Sequence, residues 1–163
     1  MNYKNKIFKE GNFQDYLTII DDWKREKNKI VFTNGCFDLL HSGHIMYLNE
    51  AKKNGDKLVI GLNSDESVRR LKGENRPIKG EDCRADILAF MGEIDMVVIF
   101  DEDTPLDLIT KIVPDVLVKG GDWEIENIVG ANVVIENGGT VKSLNFLDGH
   151  STTNIVNKVL NQN

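Results

Sequence analysis

In the stretch TNGCFDLLHSGHIMYLNEA, residues 33–51, two of the chain's three histidines stand three positions apart with a glycine between them. His41 and His44 at that spacing share one side of a helix's first turn. Their imidazole N–H groups can donate to phosphate oxygens. Gly43 allows the backbone to approach a ligand closely. The free N–H groups at a helix start attract anions. The combination makes a phosphate clamp. Two plainer uses compete with it: a metal site, and ordinary surface histidines. A metal site needs a third ligand, and His150 is the only other histidine. The sequence contains no G-x-x-x-x-G-K-[ST], no G-x-G-x-x-G and no H-E-x-x-H, so phosphate binding here would proceed without a P-loop.

The elements around this stretch alternate. KIVFTN reads as a strand and HIMYLNEAKKNG as a helix ended by Gly55. DKLVIGLN is a strand, and SDESVRRLK a helix capped by Ser64 or Asp65. GENRPIKG is a polar loop, EDCRADILAFMGEI a helix and DMVVIF a strand. TPLDLITKIV is a helix with Thr104 as N-cap and Pro105 at its first position. DVLVKG is a strand, GDWEIENI a loop, VGANVVIENGG a short helix or loop, TVKSLNF a strand and STTNIVNKVL a last helix. Residues 12–27 carry Phe13, Tyr16, Leu17, Ile20 and Trp23 at helical spacing. Residues 1–11 show no period and are expected to be loosely held. Strands alternating with helices predict an α/β, Rossmann-like, doubly wound sheet of about five parallel strands with helices on both faces. In such sheets ligands bind outside the carboxyl ends of the strands. TNGCFD, LNSDE, VKGGDW and LDGHSTT all follow strands at that end, so they can converge on one cleft.

The whole chain sets outer limits. Its 163 residues suit one ordinary domain. A net charge of −6 argues against a general nucleic-acid binder. The apolar runs are short, so neither a membrane span nor a secretory signal is expected and the reading is cytoplasmic. Cys36 and Cys83 fit no metal-pair spacing and read as reduced thiols.

The leading segment GCFDLLHSGHIMYL, with STTNI at 151–155, resembles the HxGH nucleotidylyltransferase superfamily. Within it, NSDESVRRLKGENRPI, FDEDTPLDLI, PDVLVKGGDW, IVGANVV, NGG and DGHSTTNI are similar to the adenylyltransferase domain of the ADP-heptose pathway. The similarity runs from about residue 29 to 160. It implies an N-terminal extension with a helix over 1–28 and a nucleotidylyltransferase domain over 29–163, one globular domain together. No kinase portion is present in the sequence, so a stand-alone form is expected. The implied reaction moves AMP from ATP to D-glycero-D-manno-heptose 1-phosphate by direct in-line attack, releasing pyrophosphate. A glycerol-3-phosphate cytidylyltransferase-like enzyme using CTP is the nearest competitor, because STT occurs there too. A nucleotide-binding module without turnover is the third reading. A homodimer is implied.

The resemblance distributes roles. His41 and His44 would hold the nucleotide phosphates and stabilise the transition state. Asn34, Gly35, Cys36, Phe37 and Gly43 would lie along the nucleotide, Cys36 with no covalent task. Asp38 either fixes its own loop or meets the acceptor. Lys72 would act in catalysis and Arg76 at the substrate, neutralising the triphosphate or sugar phosphate; a solvated basic loop is the alternative. Arg84 either reaches the substrate or pairs with Glu81 or Asp82. Lys119, Gly121 and Asp122 would approach the nucleotide, although a tight turn also explains the glycines. Trp123 would cover the site or simply pack. Ser151, Thr152 and Thr153 would bind the β/γ-phosphates, cap a helix, or both. Mg²⁺ is expected to be held largely by phosphates and water. The acidic run at 101–103 would favour the dipole of the helix that follows it, and Asp21 and Asp22 mark a solvated helix face.

Overall fold

The computed structural model describes residues 2–9, 11 and 13–144. Hydrophobic alternation builds the sheet. Along β2 (Ile30–Gly35), Ile30 and Phe32 face one layer while Val31 faces the other. Along β3 (Lys57–Asn63), Val59 opposes Leu58, Ile60 and Leu62 in the same way. Residues with period two that are apolar on both faces produce strands covered on both sides. The helix α1 (Phe13–Arg25) packs Tyr16 and Ile20 against the first face. The helix α2 (Ser42–Lys52) packs Tyr47, Leu48 and Ala51 against the second.

The remaining elements follow the same plan. They are α3 (Asp65–Lys72), α4 (Glu81–Phe90), β4 (Met96–Phe100), α5 (Leu106–Ile112), β5 (Val116–Gly120), α6 (Ala131–Glu136) and β6 (Thr140–Leu144). Ser64 caps α3 by accepting from the N–H of Ser67 at 3.0 Å, as expected. The helix α5 starts one residue later than expected. Pro105 itself is the cap, and its φ of −80° and ψ of 17° leave Thr104 outside. The segment after β5 contains a 3₁₀ turn, Ile125–Asn127, where a plain loop is expected.

The sheet is parallel and Rossmann-like, in the order β1-β4-β3-β2-β5-β6. Its sixth strand is β1 (Ile7–Lys9), which pairs with β4 at the edge. Residues 3–9 are therefore a 3₁₀ turn and a strand, not a loose segment. The acidic run at 101–103 also does other work. Asp101 accepts from the Ser64 hydroxyl, and Asp103 pairs with Arg70 at 2.7 Å, so both tie α3 to the end of β4.

From β2 the chain proceeds outward through β3 to β4. It then returns to place β5 on the opposite flank of β2. The order reverses between β2 and β5, which is where doubly wound sheets open a ligand crevice. The β2–β5 ladder is short, joining Val31 with Val116 and Phe32 with Leu117. The β2–β3 ladder runs from Ile30 to Gly35.

Candidate active site

Two adjoining cavities occupy the crevice. One, of about 150 Å³, is lined by residues including Asn34, Phe37, His44, Lys72 and Lys119. The other, of about 250 Å³, shares Asn34, Gly35, Cys36 and Lys119 with it and adds an apolar wall from Leu71, Pro105, Trp123, Ile128 and Val129. A larger cleft of about 580 Å³ lies on the β1 side and is lined by Lys9, Phe13, Glu66, Glu81 and Asp101 among others. It touches neither His41 nor His44, and neither Lys72 nor Lys119. The candidate site is the smaller pair.

His41 is the N-cap of α2, in extended backbone, and His44 lies in the first turn. The His44 N–H donates to the His41 carbonyl at 2.9 Å. This turn brings the two imidazoles together, with ring centroids 3.9 Å apart. Burial pushes the His44 pKa down to about 4, and the charges of His41 and Lys72 push the same way. At neutral pH His44 is therefore a neutral imidazole with one N–H to donate. Its Nδ1 is buried and has no partner among the described residues. Phe37 packs beside it at 5.5 Å between ring centroids. Phe37 reaches this position with φ of 45°, and Gly35 makes room for it, because a Cβ there would stand 3.1 Å from the Phe37 ring.

Lys119 enters from the end of β5. Its ammonium donates to Asn34 Oδ1 at 3.3 Å and lies 5.9 Å from the centre of the Trp123 ring. Burial lowers its pKa. The turn beyond it is held by β6. The Gly121 N–H donates to the Leu144 carbonyl at 2.9 Å, and the Trp123 indole N–H to the Gly120 carbonyl at 3.1 Å. Gly121 takes φ of 113°, the conformation that glycine supplies. Asp122 is exposed and lines neither cavity.

Asp38 bonds not to its own loop but to the segment before α4. It is 2% exposed. It accepts from Arg76 Nε at 2.6 Å and from the N–H groups of Ile78 and Lys79 at 2.7 and 3.1 Å. Burial disfavours its carboxylate, yet the bonds from Lys79, Arg76 and Ile78 outweigh that and lower its pKa overall. Arg76 keeps Nη2 buried with no partner among the described residues. Arg84 does not reach the cavities. It is fully buried and pairs with Asp65 at 2.8 Å, not with Glu81 or Asp82. Gly43 is buried in the first turn of α2. Ser151, Thr152 and Thr153 lie outside the described residues.

Asn63, Tyr47 and, in the apolar wall, Leu71, Pro105, Ile128 and Val129 are additions to the candidate residues read from sequence. Asn63 ends β3 and faces the Cys36 thiol at 3.9 Å. Its position at a strand's carboxyl end was the available signal. Tyr47 lies beneath the crevice. Its hydroxyl sits 2.5 Å from Thr33 Oγ1 and 3.3 Å from the Val118 carbonyl, and burial pushes its pKa up to about 12.

A family model described as cytidylyltransferase-like matches residues 32–158. The chain belongs to the cytidylyltransferase-like family. The match contains the histidine pair, both cavities and the β2–β5 crevice. Among curated relatives, the bifunctional protein HldE of Geobacter metallireducens is 59% identical over 149 residues, 91% of this chain and 30% of that protein. HldE of Campylobacter concisus is 52% identical over 154 residues, 91% of this chain and 32% of that protein. The chain thus spans about a third of the length of these relatives. The crystal structure of the lipopolysaccharide core biosynthesis protein from Thermoplasma volcanium superposes with a TM-score of 0.56 at 30% identity, covering 74% of this chain and 97% of that one. A pantoate-beta-alanine ligase from Francisella tularensis, complexed with beta-gamma ATP and beta-alanine, superposes with a TM-score of 0.60 at 13% identity over 96% of this chain and 80% of that one. That likeness concerns the fold alone. Family and fold together identify a nucleotidyltransferase domain. None of the described helices is long and apolar enough to cross a membrane.

Proposed function

We propose that the protein transfers AMP from ATP to D-glycero-D-manno-heptose 1-phosphate, forming ADP-heptose and pyrophosphate. The observation that carries this reading is the His41–His44 pair, 3.9 Å apart, at the head of α2 beside the switch-point crevice. The likeness to the HldE proteins supports the choice of a heptose phosphate.

In this reading a phosphate oxygen of the sugar attacks the α-phosphorus of ATP. The new P–O bond forms as the bond to the β-phosphate oxygen breaks, and pyrophosphate departs with its electron pair. Neutral His44 donates its N–H to an oxygen on the transferring phosphorus, with His41 beside it. Lys72 and Lys119 bring positive charge to the same cavity. Preplaced donors of this kind stabilise charge that develops in the transition state. The apolar wall with Trp123 and Ile128 suits the flat face of a base. Arg76 is anchored by Asp38 and lines neither cavity, so its positive charge would act on the sugar phosphate only from behind the Asp38 loop.

Magnesium prefers oxygen ligands. The crevice is lined by Lys72, Lys119 and neutral His44, and of its carboxylates Asp38 is engaged by Arg76 and Asp103 by Arg70. Among the described residues no cluster of three or more ligating side chains forms. A magnesium ion bound on the triphosphate would supply charge neutralisation.

Pyrophosphate release tests the reading, with ATP, CTP and GTP crossed against both heptose 1-phosphate anomers and glycerol 3-phosphate. Release with ATP and one heptose 1-phosphate is expected. Release with CTP and glycerol 3-phosphate would reassign the substrates, and silence with every pair would remove the proposed activity.

A further inference from the structure

Arg84 is among the largest fully buried side chains of the protein. Its Nη1 donates to the Cys36 carbonyl at 2.6 Å and to the Asn63 carbonyl at 2.8 Å. Its Nε donates to the Lys79 carbonyl at 2.9 Å, and Nη2 to Asp65 Oδ1 at 2.8 Å. The acceptors come from separate segments: the loop after β2, the end of β3, the first residue of α3 and the residues before α4. Burying a guanidinium is costly unless it is paired and its donors are used. All three nitrogens of this one are used, and they converge on the chain segments that wall the crevice.

The counter-ion is held in turn. The Asp65 N–H donates to Glu81 Oε2 at 3.0 Å, and Lys9 of β1 reaches Glu81 Oε1 at 2.9 Å. A polar chain therefore runs from the N-terminal strand through Glu81, Asp65 and Arg84 to the carbonyl of Cys36. Cys36 lines both cavities. Arg84 lines neither.

We propose that Arg84 is a positioning residue. It fixes the Cys36 loop against the ends of β3 and α4, and so sets the shape of the nucleotide crevice without touching a ligand. The role of the crevice rests on the proposed function. The position of the loop does not, and it can be read separately through the Cys36 thiol.

The experiment uses the full chain with Cys83→Ser, which leaves Cys36 as the single thiol. Maleimide labelling of Cys36 is followed by intact mass, alongside melting temperature, KM for ATP and kcat. Arg84→Lys keeps a charge but cannot serve four acceptors. It should label about tenfold faster and raise KM for ATP about tenfold, with kcat within about threefold, as expected for lost uniform binding. Unchanged labelling and unchanged KM in a folded variant overturn the proposal, even if the melting temperature drops. Should Arg84→Lys fail to fold, Asp65→Asn carries the test. It should label about threefold faster, and an unchanged rate again overturns the proposal. Failure of every substrate pair in the wild type would remove the activity and leave the labelling comparison standing.

Discussion

The two walls of the crevice are built by different means. The β2 wall, from Asn34 to His44, is held by buried charge. Arg84 grips its backbone at Cys36, Asp38 ties it to Arg76 and the 78–79 backbone, and Phe37 locks against His44. The β5 wall, from Lys119 to Trp123, is held by backbone bonds to β6 and by one glycine turn. Trp123 is 47% exposed at its end. Under the proposed function, His44 on the first wall would meet the reacting phosphorus and Trp123 on the second would cover the base.

The largest effect should come from breaking the β2 wall at its chemistry. His44→Ala should lower kcat for pyrophosphate release about 100- to 1000-fold, with the far-ultraviolet circular dichroism unchanged. Retention of wild-type kcat would remove His44 from the reaction. The β5 wall should respond more mildly and mainly in binding. Lys119→Met should raise KM for ATP roughly 10- to 100-fold, the scale of a charged hydrogen bond. Because burial lowers the Lys119 pKa, its charge is lost at lower pH than that of an ordinary lysine. Wild-type KM should therefore rise toward alkaline pH, and Lys119→Arg should flatten that rise. An identical pH profile in both would show that Lys119 carries no binding charge.

The smallest effect concerns stability. His44 titrates at about 4 in the folded protein against an ordinary value of 6.5. Between these values the unfolded chain binds a proton that the folded one refuses, so stability falls as pH drops. The depressed carboxyls of Asp38 and Glu81 add their own loss only at lower pH, since their ordinary values are 3.8 and 4.5. Urea denaturation between about pH 6.5 and 4.5 should therefore show a shallower slope in His44→Gln than in the wild type. Equal slopes would contradict the burial of that imidazole.

The alternation of short strands with amphipathic helices made the sheet readable, because period two and period 3.6 are local signals. The histidine pair was readable for the same reason: three residues along one helix turn need no tertiary knowledge. What stayed hidden depends on partners distant in sequence. Three residues, Ile7 to Lys9, carry too little pattern to announce a strand, and only pairing with β4 makes them one. Arg84 looked like a helix-start residue free to meet a ligand or a neighbouring acid. Its burial requires the carbonyls of Cys36 and Asn63, 48 and 21 residues away. The acidic run at 101–103 read as dipole support for α5, yet its partners, Ser64 and Arg70, lie on the far side of a strand and a helix.

Tyr47 bears on how the crevice is supported. The β2–β5 ladder stops after two rungs, and the Tyr47 hydroxyl joins Thr33 to the Val118 carbonyl just beyond the last one. The phenol acts as a stop at the foot of an opening seam. The foot of the groove rests on this side chain reaching in from a helix as well as on the two backbone rungs below it.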